Sequence, residues 1–205
     1  TDTARAAAER VGWPHYSPGA PSPLPESSLE WPDIVVALNT SYQTGPGTIG
    51  VRLVEGTGEL ELSSVFVSYT EEAMVARTVA LGDKPIRSRH GLTFVPRTAD
   101  AAGLDRVLVP GLEAARQQVA GPDAEYVHTT EEFAFNPVIR DIAGTYDLQT
   151  VRWTAKTLEY PLGDVRVTGS SWPWGPTLIL LGLLVLGAAI AVVIGRLVRR
   201  RRAQA

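Results

Sequence analysis

The pattern of apolar and polar positions divides this chain into two unlike parts. Residues 177–195, TLILLGLLVLGAAIAVVIG, carry no charge over nineteen positions. At about 1.5 Å rise per residue, a helix of that length just crosses the hydrocarbon core of a bilayer. Upstream, the apolar runs are short. Residues 34–38, 49–54 and 61–69 predict strands, the last by alternation of Leu62, Val65, Val67 and Tyr69 with an interruption at Ser63 and Ser64. Residues 73–81, 92–95 and 106–109 predict further strands.

Helical signals frame these runs. Residues 4–10 (ARAAAER) favour helix and Gly12 ends it. Residues 112–120 read as helix after Gly111. Asn136 is expected to cap a helix with Pro137 at its first position and Gly144 at its end. Asp147 is expected to cap residues 148–160, stopped by Pro161. Between Trp13 and Pro32, six prolines and little periodicity predict an extended segment. Trp13, Tyr16 and Trp31 either pin that segment against the domain or the membrane surface, or belong to a plain linker. Strands early, a βα step in the middle and helices late give an α/β fold, a sheet with flanking helices, plus one C-terminal transmembrane helix. The expected organisation is residues 1–32 as helix and proline-rich segment, 33–171 as the α/β domain, 172–195 as the anchor and 196–205 as an arginine-rich tail.

Charge sharpens the division. All 22 acidic residues and 14 of the 19 basic ones precede the apolar run, leaving that part at −8. The remaining five basic residues are Arg196, Arg199, Arg200, Arg201 and Arg202, directly after it. By the positive-inside bias they are expected to stay cytoplasmic, with Trp172 and Trp174 at the opposite interface and the domain outside the cell membrane. Lipid headgroups suffice as partners for the tail, and an acidic domain excludes nucleic acid. Gly187, Ala191 and Gly195 fall on one helix face, a spacing that permits close association with a membrane-protein partner or a second copy, or that belongs to a lone helix in lipid. Cysteine is absent, which excludes disulfides, a thiol nucleophile and thiolate metal sites. A chain starting at Thr1 suits a removed leader, a processing site or a boundary within a longer protein equally.

Two segments carry a family resemblance. The run Arg89-His90-Gly91-Leu92-Thr93-Phe94-Val95-Pro96, followed by Leu104-Asp105-Arg106-Val107-Leu108-Val109-Pro110-Gly111, resembles the DJ-1/PfpI pattern S-x-x-G-L-x-V-x-P … D-x-L-x-V-P-G. Residues 138–143 and 154–160 look like late-helix sequences of some bacterial members. The resemblance implies a class I glutamine-amidotransferase-like scaffold, in which residues 106–109 would be a central parallel strand covered on both faces. Enzymes of that family place a cysteine at a strained strand-to-helix turn after the V-P-G strand. Without cysteine, and without a G-x-S-x-G elbow, the resemblance implies a degenerate, tethered member.

Other candidate chemistry is sparse. His15, His90 and His128 are scattered, with no H-E-x-x-H spacing. His15 is expected to be exposed. His90 either faces the family-like cleft or packs in a turn. His128 precedes Thr129, Thr130, Glu131 and Glu132; a His128/Glu131 pair would make half of a metal or acid–base site. Alternatively, Thr129 or Thr130 caps a short helix. Glu71 and Glu72 read as a capped helix start after Thr70. The stretch GPGTIG lacks the lysine of a phosphate loop, Asn39-Thr40-Ser41 matches a glycosylation sequon, and Arg152 and Lys156 read as solvated. No cofactor is expected. The reading is a membrane-anchored, non-catalytic binding, accessory or sensor domain. Two alternatives remain: a fragment whose upstream portion completes the fold, or a hydrolase using His/Glu residues.

Overall fold

A computed structural model describes residues 2–17, 28–43, 45–122, 124–163 and 165–202. Four strands form one parallel sheet: β1 (Gly47–Arg52), β2 (Ala76–Leu81), β5 (Arg106–Val109) and β6 (Glu125–Tyr126). Their order is β2-β1-β5-β6. The register pairs Ile49 with Thr78 and with Arg106, and Leu108 with Glu125. A small antiparallel pair, β3 (Ile86–Arg87) and β4 (Thr93–Phe94), stands beside it.

Ile49, Val51 and Leu108 point from the sheet into the main core. They meet the helices α3 (Glu59–Phe66), α5 (Phe135–Thr145) and α6 (Leu148–Thr157), which supply Val65, Ile139, Ile142 and Val151. The opposite sheet face is only partly covered. Val107 is half-buried there and lines an open cleft of about 380 Å³ with Arg52, Val109, Gly121 and Glu125. The strand at residues 106–109 is therefore parallel and interior, but it is not covered on both faces.

Two expected strands are helices. Residues 34–38 lie in α2 (Trp31–Ser41), with Pro32 in its first turn and the Glu30 N–H donating to Asp33 Oδ2 at 2.7 Å. The β-branched run there imitates a strand, but capping and proline start a helix. Residues 61–69 belong to α3 and to a π-helical turn, Val67–Glu72. Leu62, Val65, Tyr69 and Ala73 are all fully buried, spaced by three, four and four. That is one helical stripe, and the serines that seemed to interrupt an alternation simply sit on another side of the helix. The Ala73 N–H bonds Ser68 O at 2.9 Å, five residues back, so Glu71 and Glu72 close a helical segment rather than open one.

Smaller corrections concern ends. The helix after Gly111 is short, α4 (Leu112–Arg116). α5 starts at Phe135 with Ala134 at its cap position, and Asn136 instead accepts a hydrogen bond from Tyr160. Gly144 lies within α5. Asp147 caps α6, accepting from the N–H groups of Gln149 (2.8 Å) and Thr150 (2.9 Å). Neither Thr129 nor Thr130 caps a helix, since the next one, α5, starts at Phe135; Thr130 Oγ1 bonds Glu132.

The N-terminal helix α1 (Asp2–Arg10) buries Ala8. Trp13 after it packs against Phe133 and Tyr160 at ring-centroid distances of 4.8 and 5.9 Å, so this part is pinned to the domain. His15 is half-buried beside Trp13. The expected extended segment falls largely on residues 18–27, outside the described residues. The C-terminal helix α7 (Trp174–Arg202) contains a stretch, Trp174–Leu197, long and apolar enough to cross a membrane and almost entirely exposed, with Thr177 and Leu180 partly covered.

Candidate functional site

Strand order reverses at β1. From β1 the chain moves to β2 on one side, then returns to β5 on the other. At such a switch point the loops leaving the strand ends diverge, and open α/β sheets bind ligands in the crevice between them. Here that position is occupied by the chain itself. Glu61, in the first turn of α3, accepts from Gly58 N at 2.8 Å and from Leu112 N at 2.7 Å. One carboxylate thus ties the loop after β1 to the start of α4. Gly111 between them has φ +107°, and a Cβ there would lie 3.1 Å from Thr57 Cγ2. The backbone conformation favours glycine here, and a Cβ would crowd Thr57.

His128 follows β6 and is 3% exposed. Its Nδ1 accepts the Gly111 N–H at 3.1 Å, and its Nε2 lies 3.0 Å from Ala134 O and 3.3 Å from Ser64 Oγ. A backbone N–H can only donate and a carbonyl can only accept, so the neutral ring carries its proton on Nε2. The Ser64 hydroxyl donates in turn to Glu61 O at 3.0 Å. Serine and histidine are side by side, yet the polarity is opposite to that of a nucleophile–base pair: the nitrogen facing Ser64 holds a hydrogen. Burial pushes the His128 pKa below 6.5, outweighing the Ala134 carbonyl and the charges of Glu61 and Glu132.

The structure does not bring the expected partners together. Glu131 is exposed and pairs with Arg116 at 2.5 Å. His90 is exposed, with Nδ1 2.5 Å from Glu59 Oε2, and binds the β3–β4 hairpin to the start of α3. Hydrogen bonds from Ser88 and His90 hold the Glu59 carboxyl down at about 2. Among the described residues, no group of three His, Asp or Glu side chains converges on a metal position. Asn39, the sequon residue, is buried in α2 with Nδ2 donating to Thr177 Oγ1 at 3.3 Å, so it is no accessible glycan acceptor. Lys156 is not merely solvated: its Nζ lies 2.6 Å from Asp33 Oδ2. Arg152 remains exposed.

At the other end of β5, Arg106 forms two bonds to Asp141 (3.0 and 2.9 Å) and two to Glu125 (2.9 and 2.6 Å). Tyr69 donates to the same Asp141. The Asp141 hydrogen bonds raise the Arg106 pKa; burial, then the Asp141 charge, raises that of Tyr69. This network joins strand, helix and π-turn away from the switch point. Neither it nor Glu61 and Ser64 was singled out in the sequence. Glutamate three residues after Gly58 is a helix-start signal, hidden because the segment reads as a strand.

No family model and no curated protein matches the chain. A crystal structure described as a DJ-1 superfamily protein from Agrobacterium tumefaciens is similar to it, with 15% sequence identity, 68% of this chain and 90% of that chain covered, and a TM-score of 0.29. The likeness is distant and partial, at the level of an α/β fold.

On α7, Trp172 and Trp174 precede or open the helix, their rings 6.4 Å apart. Arg196, Arg199 and Arg200 lie near its end, and Arg201 and Arg202 complete it. Gly187 and Gly195 have nothing within 4 Å of where a Cβ would stand, and Ala191 is exposed with them.

Proposed function

We propose that this chain is a membrane-anchored, non-catalytic domain acting as a binding, accessory or sensor unit on the outer side of the membrane, with α7 as the anchor and the arginine tail in the cytoplasm. One observation carries the non-catalytic reading. Both ring nitrogens of His128 and both oxygens of Glu61 are committed to internal partners at the switch point. A general base needs a free lone pair directed at a substrate proton, and this imidazole has none. The sequence resemblance to DJ-1/PfpI agrees, since that family's cysteine is missing. The anchor reading rests on the length and apolarity of α7 and on the arginines at one end.

The full chain in detergent, assayed on ester, amide and peptide substrates, is expected to give no turnover above a heat-denatured control. Turnover abolished by Ser64→Ala would overturn this reading and establish a hydrolase.

A further inference from the structure

α2 is amphipathic in the wrong direction for a helix on a soluble domain. Its buried positions are Asp33, Val36 and Asn39, two of them polar. Its outward stripe is Trp31, Ile34, Leu38 and, just past its end, Tyr42, exposed by 71%, 43%, 43% and 70%. The spacing of three, four and four puts them on one side of the helix. No charge lies on that side. The only charged residues between 29 and 42 are Glu30 and Asp33, and both face Lys156 on the domain, at 3.7 and 2.6 Å. Exposed apolar residues scattered singly are ordinary, but a charge-free stripe along a whole helix marks a surface that meets an apolar medium.

The position of α2 says which medium. Asn39 donates to Thr177 Oγ1 at 3.3 Å, and Trp172 Nε1 donates to the same oxygen at 3.1 Å. Thr177 lies in the first turn of α7, at the start of the apolar stretch 177–195. The C-terminal half of α2 is thereby fixed at the level where α7 would enter the bilayer, among Trp172, Trp174 and Tyr42, residue types that settle at the membrane interface. We propose that α2 is an interfacial helix: its Trp31/Ile34/Leu38/Tyr42 face rests in the headgroup region of the bilayer that α7 spans, so that the domain is held against the membrane in one orientation. The hydrogen bond between Asn39 and α7 and the ion pairs of Lys156 transmit that orientation to the sheet. This inference rests on the reading of α7 as an anchor, and the test separates the two.

The natural lack of cysteine allows single spin labels on the full chain, reconstituted in vesicles of phosphatidylcholine and phosphatidylglycerol. Labels are placed at Leu38→Cys and Trp31→Cys on the stripe, at Leu184→Cys within α7, and at Glu113→Cys on the exposed side of α4. Relaxation by oxygen, which concentrates in lipid, is compared with relaxation by a water-soluble nickel chelate. The proposal expects the Leu38 and Trp31 labels to be relaxed by oxygen in preference to nickel, as at Leu184, with the reverse at Glu113. Nickel-dominated relaxation at Leu38 and Trp31, with Leu184 in lipid, would overturn it and leave α2 in water. Shielding from both reagents, with spin–spin broadening that fades on mixing with unlabelled chain, would overturn it in favour of a contact between copies. Nickel access at Leu184 would remove the anchor itself.

Discussion

His128 is the buried histidine of the switch point. A buried imidazole with a depressed pKa makes stability depend on pH in one direction. As pH falls through 6.5 the unfolded chain takes up its proton first, so the folded state loses ground. The loss is at most about 1.4 kcal/mol per pH unit and ends when the folded pKa is reached. Above 6.5 this group contributes no slope. Thermal midpoints of the wild type and His128→Gln, measured in detergent at pH 7.5 and 5.5, should differ less at the lower pH because the glutamine variant lacks this slope. A gap that stays constant across that range would mean that His128 is not held neutral by burial. Glu59 acts at a different range: its carboxyl, held at about 2 by Ser88 and His90, steadies the β3–β4 hairpin above about 4.5 and releases it as pH falls from there towards 2.

At the scale of elements, the two sides of β5 are unequal, and paired substitutions expose this. Leu108 is 1% exposed and lies in the main core, whereas Val107 is half-buried at the open cleft. Leu108→Asp would place an unpaired carboxylate in the core and should cost more than about 4 kcal/mol, enough to unfold the domain. Val107→Asp should cost about 1 kcal/mol and leave a cooperative melt. Equal effects in circular-dichroism melts would refute the one-sided packing. The strands β1, β2 and β5 and the cap at Asp147 were legible because each rests on a local signal: a short apolar run between turns, or a capping side chain. α2 and α3 were not. Residues 34–36 are β-branched whichever structure they adopt, and the stripe Leu62–Val65–Tyr69 fits alternation and helix almost equally over so few residues. That misreading also concealed the site, because Glu61 meets Leu112 and Ser64 meets His128 only if their segment is helical. The Arg106–Asp141 network joins residues 35 apart, and no local pattern announces it.

For the whole molecule, the anchor and the domain make separate predictions. Protease added outside intact cells should digest the residues before α7 and spare the arginine tail; a protected domain with a digested tail would reverse the orientation. At the switch point Glu61, Ser64, Gly111 and His128 are hydrogen-bonded within the chain. The most direct test is the imidazole nitrogen spectrum of His128 in the full chain, held in lipid nanodiscs and titrated from pH 8 to 6. The account predicts a single neutral tautomer with the proton on Nε2 and Nδ1 bare at pH 8, taking up a second proton only at a pH lower than a free imidazole does. A proton on Nδ1, leaving Nε2 free to face the Ser64 hydroxyl, would contradict it.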